Sequence, residues 1–383
     1  MSFRPILAGL ALSALLVPLD AAAFETKAVS AIVVDQATGM VLFEKNAEVP
    51  RPTASMSKLM TLYMLFEAIR DGRVTPETEF RVSAKAQAMG GSRMFVEAGT
   101  VVPVEALIQG IIVQSGNDAC VVVAENLAGT EAEFARQMTA RAKEIGLEHT
   151  TLKNASGWPE PGHEMSAEDL ERLANRIITE FPQFYAYFHE TEFTWNGITQ
   201  QNRNPLLTLG IGADGLKTGH TEEAGYGLVG SAVQNDQRII FVLTGLANAR
   251  ERAAESEAVV NWAYNAFDTV KFLDKGAQAA EAKVWLGEAP TVPLVAPETI
   301  QIFVPRTERS KMTARVVYDS PVEAPIAAGQ PIGALFVDIP GHDQMRFDLV
   351  AGRDVPRGGL MTRIGAAAMI ARDRVVGLLP GHD

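Results

Sequence analysis

The chain has one cysteine, Cys120, in 383 residues. That excludes an intramolecular disulfide and any cysteine-based zinc site, and the apolar run Ala119-Cys120-Val121-Val122-Val123 around it reads as burial of an inert thiol. Histidine is also scarce. The six present, His149, His163, His189, His220, His342 and His382, show no H-x-x-x-H pairing, which argues against a metal enzyme. Positive charge is in deficit, with 34 Lys and Arg against 46 Asp and Glu and a formal net charge of -12. A general nucleic-acid binder is excluded by that balance, whereas a locally positive pocket is not. Hydrophobic residues at 47% and charged residues at 21% are ordinary globular values, so no fibrous or low-complexity class fits. The length allows a large core and more than one domain.

One long apolar run is present, at the start. Arg4 precedes Ile6 to Leu19, and Ala21-Ala22-Ala23 follows as a small-residue cleavage site. The run is short for a membrane span, so residues 1–23 read as a secretory signal peptide with the mature chain starting near Phe24. An uncleaved N-terminal anchor is the rival reading.

Ser30 to Asp35 and Met40 to Glu44, flanking Gln36-Ala37-Thr38-Gly39, predict a β-hairpin. Next comes Ser55-Met56-Ser57-Lys58, after Pro52 and before an apolar stretch from Leu59 to Ile69 with helical spacing. The spacing places Ser55 at a helix N-terminus with Lys58 on the same face, so the hydroxyl and the amine come within hydrogen-bond reach where developing negative charge is favoured. An acyl-transfer nucleophile needs that arrangement. S-x-x-K alone arises about once or twice by chance in a chain of this length, and on its own a helix cap followed by a solvated Lys is the commoner explanation.

Two further motifs supply company. Ser115-Gly116-Asn117 falls in a break between a helix over Pro103 to Val113 and an apolar helix over Asp118 to Leu127, where a hydroxyl and an amide point together into a cleft. Lys217-Thr218-Gly219-His220 precedes two strands, Gly225 to Val233 and Arg238 to Thr244, and offers a cation and a hydroxyl beside a backbone that a carboxylate can approach. Amphipathic helices are predicted from Glu131 to Ile145, from Ser166 onward, and from Glu251 to about Phe267. The motifs stand 60 and 102 residues apart, in the order S-x-x-K, S-x-N, K-T-G.

In that order they resemble the penicillin-recognising serine enzymes. With Asn202-Arg203-Asn204, Asp214-Gly215-Leu216 before the third motif and Ala224-Gly225-Tyr226 after it, the chain from Ala28 to Phe267 is similar to the D-alanyl-D-alanine carboxypeptidases, peptidase family S11. The resemblance implies an α+β catalytic domain over residues 24–270, an antiparallel sheet flanked by helices with a helical subdomain. Ser55 would attack the carbonyl between the two terminal D-alanines of a peptidoglycan stem peptide. Lys58, kept neutral by burial and by Lys217, would take its proton, and Ser115 would pass a proton to the departing D-alanine. Asn117 would hold the peptide amide, and the N–H groups of Ser55 and His220 would form the oxyanion hole. Lys217, Thr218 and Gly219 would receive the terminal carboxylate, helped by Arg252, with Arg203 and Arg250 as competitors for that role. No cofactor or metal is called for, and β-lactam antibiotics would acylate Ser55 covalently.

Two other functions stay open. A class A-like β-lactamase carries the same motifs plus an E-x-x-x-N element, and Glu171-Arg172-Leu173-Ala174-Asn175 matches it, although the spacing of Leu170, Leu173, Ala174 and Ile177 predicts a helix with Glu171 off its apolar stripe. A non-catalytic peptidoglycan-binding protein is the other. After Thr269 short alternating runs, Ile300 to Val304, Met312 to Tyr318 and Met345 to Leu349, predict a small all-β domain over 271–356. Residues 357–383 carry apolar positions at helical spacing with Arg363, Arg372 and Arg374, which predicts a basic amphipathic helix; the resemblance implies its peripheral contact with the periplasmic face of the bacterial inner membrane, and packing on the protein's own surface is the alternative.

Overall fold

The computed structural model describes residues 24–359. The expected signal peptide and nearly all of the expected C-terminal amphipathic helix lie outside them. Five antiparallel strands form the central sheet: β1 (Ser30–Asp35), β2 (Val41–Lys45), β3 (Ala213–Thr221), β4 (Gly225–Gln234) and β5 (Gln237–Leu246), in the spatial order β2-β1-β5-β4-β3. Every residue of β1 is buried, as expected of an apolar strand covered on both faces. The hairpin joining β4 to β5 turns on Asn235 and Asp236, both with positive φ, the left-handed pair that a two-residue hairpin requires.

The helices divide between the two faces. On one, α1 (Lys58–Arg70), α2 (Val104–Ile112), α3 (Asn117–Ala128), α4 (Glu131–Glu144) and α5 (Ala167–Glu180) enclose the larger core, with Leu59, Phe66, Ile111, Val122, Phe134 and Leu173 fully buried in it. On the other, α6 (Ala249–Ala266) lays Val259, Val260 and Ala263 against Val33, Phe241 and Leu243. Helix starts are set by side-chain caps: Thr130 accepts from the Glu133 amide, Ser166 from Asp169 and Asn248 from Glu251, each at 2.8 to 3.1 Å.

α6 ends at Ala266, and strand Phe267–Leu273 begins at once, pairing with Ile300–Pro305. The expected boundary at 270/271 therefore falls inside a strand. A six-stranded sheet holds the remaining C-terminal strands around a separate apolar cluster that includes Val292, Leu294, Ile302, Val337 and Leu349. The expected helix start at 357 is not seen either. Arg357 bridges to Gly287 and the Gly358 amide donates to the Leu286 carbonyl, which keeps this stretch extended on the β domain. Among the described residues no helix is long and apolar enough to cross a membrane.

Candidate active site

Ser55 lies in a single 3-10 turn, Ala54–Ser57, directly ahead of α1, rather than inside the first α-helical turn. Lys58 opens α1 and is wholly buried. Its Nζ lies 2.7 Å from Ser55 Oγ, 2.7 Å from Asn117 Oδ1 and 2.5 Å from the Ser156 carbonyl oxygen. A neutral amine has two N–H donors and one lone pair, so donation to Asn117 and Ser156 leaves the lone pair for the Ser55 hydroxyl proton. Burial lowers the Lys58 pKa to about 8, with the Arg203 cation adding to the shift. The sequence reading named burial and Lys217; burial is the largest cause, Arg203 is the like charge acting on Lys58, and the Lys58 charge in turn lowers Lys217.

Ser115 sits at the break between α2 and α3 with a positive φ, a strained conformation for a non-glycine residue. Lys217 Nζ, on the edge strand β3, donates to Ser115 Oγ at 3.0 Å and to the Thr218 carbonyl at 3.3 Å. Burial, and then the Lys58 charge, push Lys217 well below its ordinary pKa. A carboxylate arriving beside it supplies the missing counter-charge and favours the ammonium again. Asn117 donates Nδ2 to the Gly90 carbonyl at 2.9 Å, which leaves its second N–H for a ligand.

Gly219 lines the cleft and has a second use besides. A Cβ there would lie 2.7 Å from the Thr53 carbonyl and 3.0 Å from Met56 Cγ, so the glycine lets β3 close on the nucleophile turn. Because β3 is the last strand of its sheet, its outer row of backbone groups has no strand neighbour on the cleft side.

A cleft of about 500 Å³ joins these groups, lined by Ser55, Ser115, Thr218, His220, Arg203 and Arg252 among others. Both arginines thus face it, while Arg250 is exposed. Arg203 Nη1 donates to Ser92 Oγ at 2.5 Å, and the Arg252 guanidinium stands 5.7 Å over the Tyr226 ring, which stacks on His220. A larger hollow of about 800 Å³ lies between Ala37–Val41 and Gly341–Phe347, but no residue of the three motifs lines it. Size does not locate the chemistry here.

Glu171 does lie on a helix, α5, as the spacing predicted, and it is absent from the cleft lining. Its position off the apolar stripe does not expose it, however. It is 6% exposed, and burial pushes its pKa up to about 7.

Several functional contacts escaped the sequence reading. Asp118 accepts the amides of Met94, Phe95 and Val96 at 2.8, 2.8 and 3.2 Å, pinning the loop that carries Gly91 and Ser92 to the cleft. Asn204 donates to the Gly215 carbonyl at 2.9 Å and Asn202 to the Glu190 carbonyl at 2.8 Å, so Asn202-Arg203-Asn204 is a splint that projects Arg203. Both motifs had been singled out with no role for their flanking residues. The Ser156 carbonyl has no side-chain signature that could have revealed it.

A lysine-assisted serine at the head of a helix beside a five-stranded antiparallel sheet, with a second serine held by a second lysine on that sheet's edge strand, defines the penicillin-recognising serine hydrolase class. The chain belongs to the D-alanyl-D-alanine carboxypeptidase family, peptidase S11, whose model matches residues 18–248. The model of the C-terminal domain of penicillin-binding protein 5 matches residues 267–357. The D-alanyl-D-alanine carboxypeptidase DacD of Salmonella typhimurium is 36% identical over 345 residues, covering 87% of each chain. DacA of Escherichia coli is 34% identical, covering 88% of this chain and 85% of that protein. The crystal structure of penicillin binding protein 5 from Haemophilus influenzae superposes with a TM-score of 0.76 at 32% identity, covering 88% of this chain and 99% of that one.

Proposed function

We propose that the protein is a serine-type D-alanyl-D-alanine carboxypeptidase that removes the terminal D-alanine from peptidoglycan stem peptides through an acyl-enzyme on Ser55. The observation that carries this reading is the Lys58 amine, buried and 2.7 Å from Ser55 Oγ with both N–H groups engaged elsewhere. The terminal carboxylate docks against Thr218, Lys217, Arg203 and Arg252. Lys58 takes the Ser55 proton as Oγ attacks the penultimate carbonyl, and the N–H groups of Ser55 and His220 stabilise the oxyanion, a contribution of about 3 kcal/mol per donor in other acyl-transfer enzymes. Ser115, held by Lys217, hands its hydroxyl proton to the departing amine and is reprotonated by the proton that Lys58 took from Ser55, and Asn117 Nδ2 holds the carbonyl of the preceding residue. Water then releases the shortened peptide.

β-Lactams fit the same cleft because they carry an acylating carbonyl and a carboxylate, and they acylate Ser55. The β-lactamase alternative loses its support, since Glu171 is buried on α5 away from the cleft lining. We further propose export by the leader at 1–23, a catalytic domain followed by an all-β domain, and peripheral contact of 357–383 with the periplasmic face of the inner membrane. The test is D-alanine release from Nα,Nε-diacetyl-L-Lys-D-Ala-D-Ala. Wild-type protein releases it and Ser55→Ala does not; penicillin hydrolysis faster than peptide cleavage would restore the lactamase reading, and release by Ser55→Ala would remove the serine mechanism.

A further inference from the structure

The loop over residues 153–164 forms the back wall of the nucleophile turn. It touches that turn at two places and the start of α1 at two more. The Ser156 carbonyl accepts from Lys58, the Ala155 carbonyl accepts from Thr61 Oγ1 at 2.6 Å, Gly157 abuts the Ala54 carbonyl, and His163 reaches Ser57. Gly157 has positive φ, and a Cβ on it would stand 1.9 Å from the Ala54 oxygen, so the approach is as close as a backbone allows. The loop itself is rigid at this point, since Asn154 Oδ1 accepts the amides of Gly157 at 2.8 Å and Trp158 at 3.0 Å.

His163 is 4% exposed, and its hydrogen bonds fix its tautomer. Nδ1 accepts the Lys153 amide at 3.1 Å, so it carries no proton, and Nε2–H donates to Ser57 Oγ at 3.0 Å. The Ser57 hydroxyl then has its own proton for the Ala54 carbonyl, 2.9 Å away. Ala54 has a φ of +47°, a conformation that an L-residue holds only when its surroundings enforce it. Ser55 is the next residue.

We propose that His163 is a positioning residue for the chemistry at Ser55: through Ser57 it holds the Ala54 carbonyl, and with it the strained turn from which the Ser55 hydroxyl meets Lys58. The inference rests on the acyl-transfer reading above and goes beyond it, because His163 touches neither substrate nor the reacting atoms. Release of the brace lets Ala54 relax toward right-handed φ and carries Ser55 Oγ off the lone pair of Lys58. Acylation then slows while carboxylate capture at Lys217, Arg203 and Arg252 is untouched. Burial lowers the His163 pKa to about 4, with the Lys58 and Lys153 charges adding to the shift, so the brace stays neutral throughout the range in which Lys58 titrates.

The experiment is stopped-flow acylation by a fluorescent penicillin, together with kcat and KM for D-alanine release, in wild type, His163→Ala, His163→Gln, Ser57→Ala and the double variant His163→Ala/Ser57→Ala. Loss of one buried hydrogen bond on the path predicts that acylation and kcat fall about tenfold in His163→Ala and in Ser57→Ala, with KM changed less than about twofold. The double variant falls no further than either single one, because both lie on one path. Glutamine, whose amide can still donate to Ser57, recovers most of the rate. Wild-type acylation in His163→Ala, additive losses in the double variant, a rise in KM at constant kcat, or a glutamine variant as slow as alanine would each overturn the proposal. If His163→Ala does not fold, Ser57→Ala and His163→Gln decide it by the same criteria. Failure of wild type to take label or release D-alanine sinks the function itself, whereas an active wild type with an unaffected His163→Ala sinks only the brace.

Discussion

Placing a carboxylate against the Lys58 amine is the sharpest way to ask whether that amine is the base. In the wild type, burial sets the Lys58 pKa near 8, so about a tenth of the protein carries the neutral amine at pH 7 and about nine tenths at pH 9. Acylation by a penicillin, whose carboxylate does not titrate in this range, therefore rises about tenfold between those pH values with its midpoint near 8. Asn117→Asp replaces the amide oxygen 2.7 Å from Nζ by a charged one. An opposite charge at that distance favours the ammonium by about one to three pKa units, so acylation at pH 7 falls about 10- to 1000-fold and recovers at high pH as the midpoint moves up. Stopped-flow acylation between pH 6 and 10.5 reads both effects. The recovery separates a titration effect from lost substrate binding, which would lower the rate equally at every pH. A flat wild-type profile, or an Asn117→Asp profile with an unmoved midpoint, would refute Lys58 as the base.

Three other outcomes follow from the same contacts. Asp118→Asn replaces an acceptor for the Met94, Phe95 and Val96 amides with a group that donates on one side, and should cost about 2 to 4 kcal/mol in denaturant unfolding while loosening the Gly91–Ser92 loop. Arg252→Ala should lower kcat/KM for D-Ala-D-Ala peptides about tenfold and leave a substrate with an amidated C-terminus unaffected; equal losses on both would place Arg252 outside carboxylate binding. Glu171 has a folded-state pKa raised to about 7 from 4.5, so the native state binds more protons than the unfolded state between those values and stability falls as pH rises through that window. Glu171→Gln should thus raise stability by about 2 to 3 kcal/mol at pH 8, with the gain fading below pH 5, and leave penicillin turnover unchanged.

Much of this was legible in the sequence, for particular reasons. Ser55, Lys58, Ser115 and Lys217 belong to motifs whose chemistry demands those residue types at fixed spacing, and the structure pairs each lysine with a serine that lines the cleft. The helices were marked by periodicity and, for α5, by the start at Ser166, which the structure shows as its cap. What escaped has no side-chain signature or needs a distant partner. The Ser156 carbonyl is backbone, and His163 acquires its role from Ser57, 106 residues away. Glu171 shows the limit of periodicity. One apolar stripe marks the face toward one neighbour, but α5 packs against both the sheet and α1, which buries a position off the stripe. The boundary was drawn inside strand Phe267–Leu273, at 270/271, because no glycine or proline separates that strand from α6.

Mass spectrometry of a protease digest after incubation with benzylpenicillin tests the central claim most directly. The structure predicts one penicilloyl adduct, on the peptide containing Ser55, and no adduct in Ser55→Ala. An adduct on another residue, or none on folded wild-type protein, would show that the buried lysine does not activate this serine.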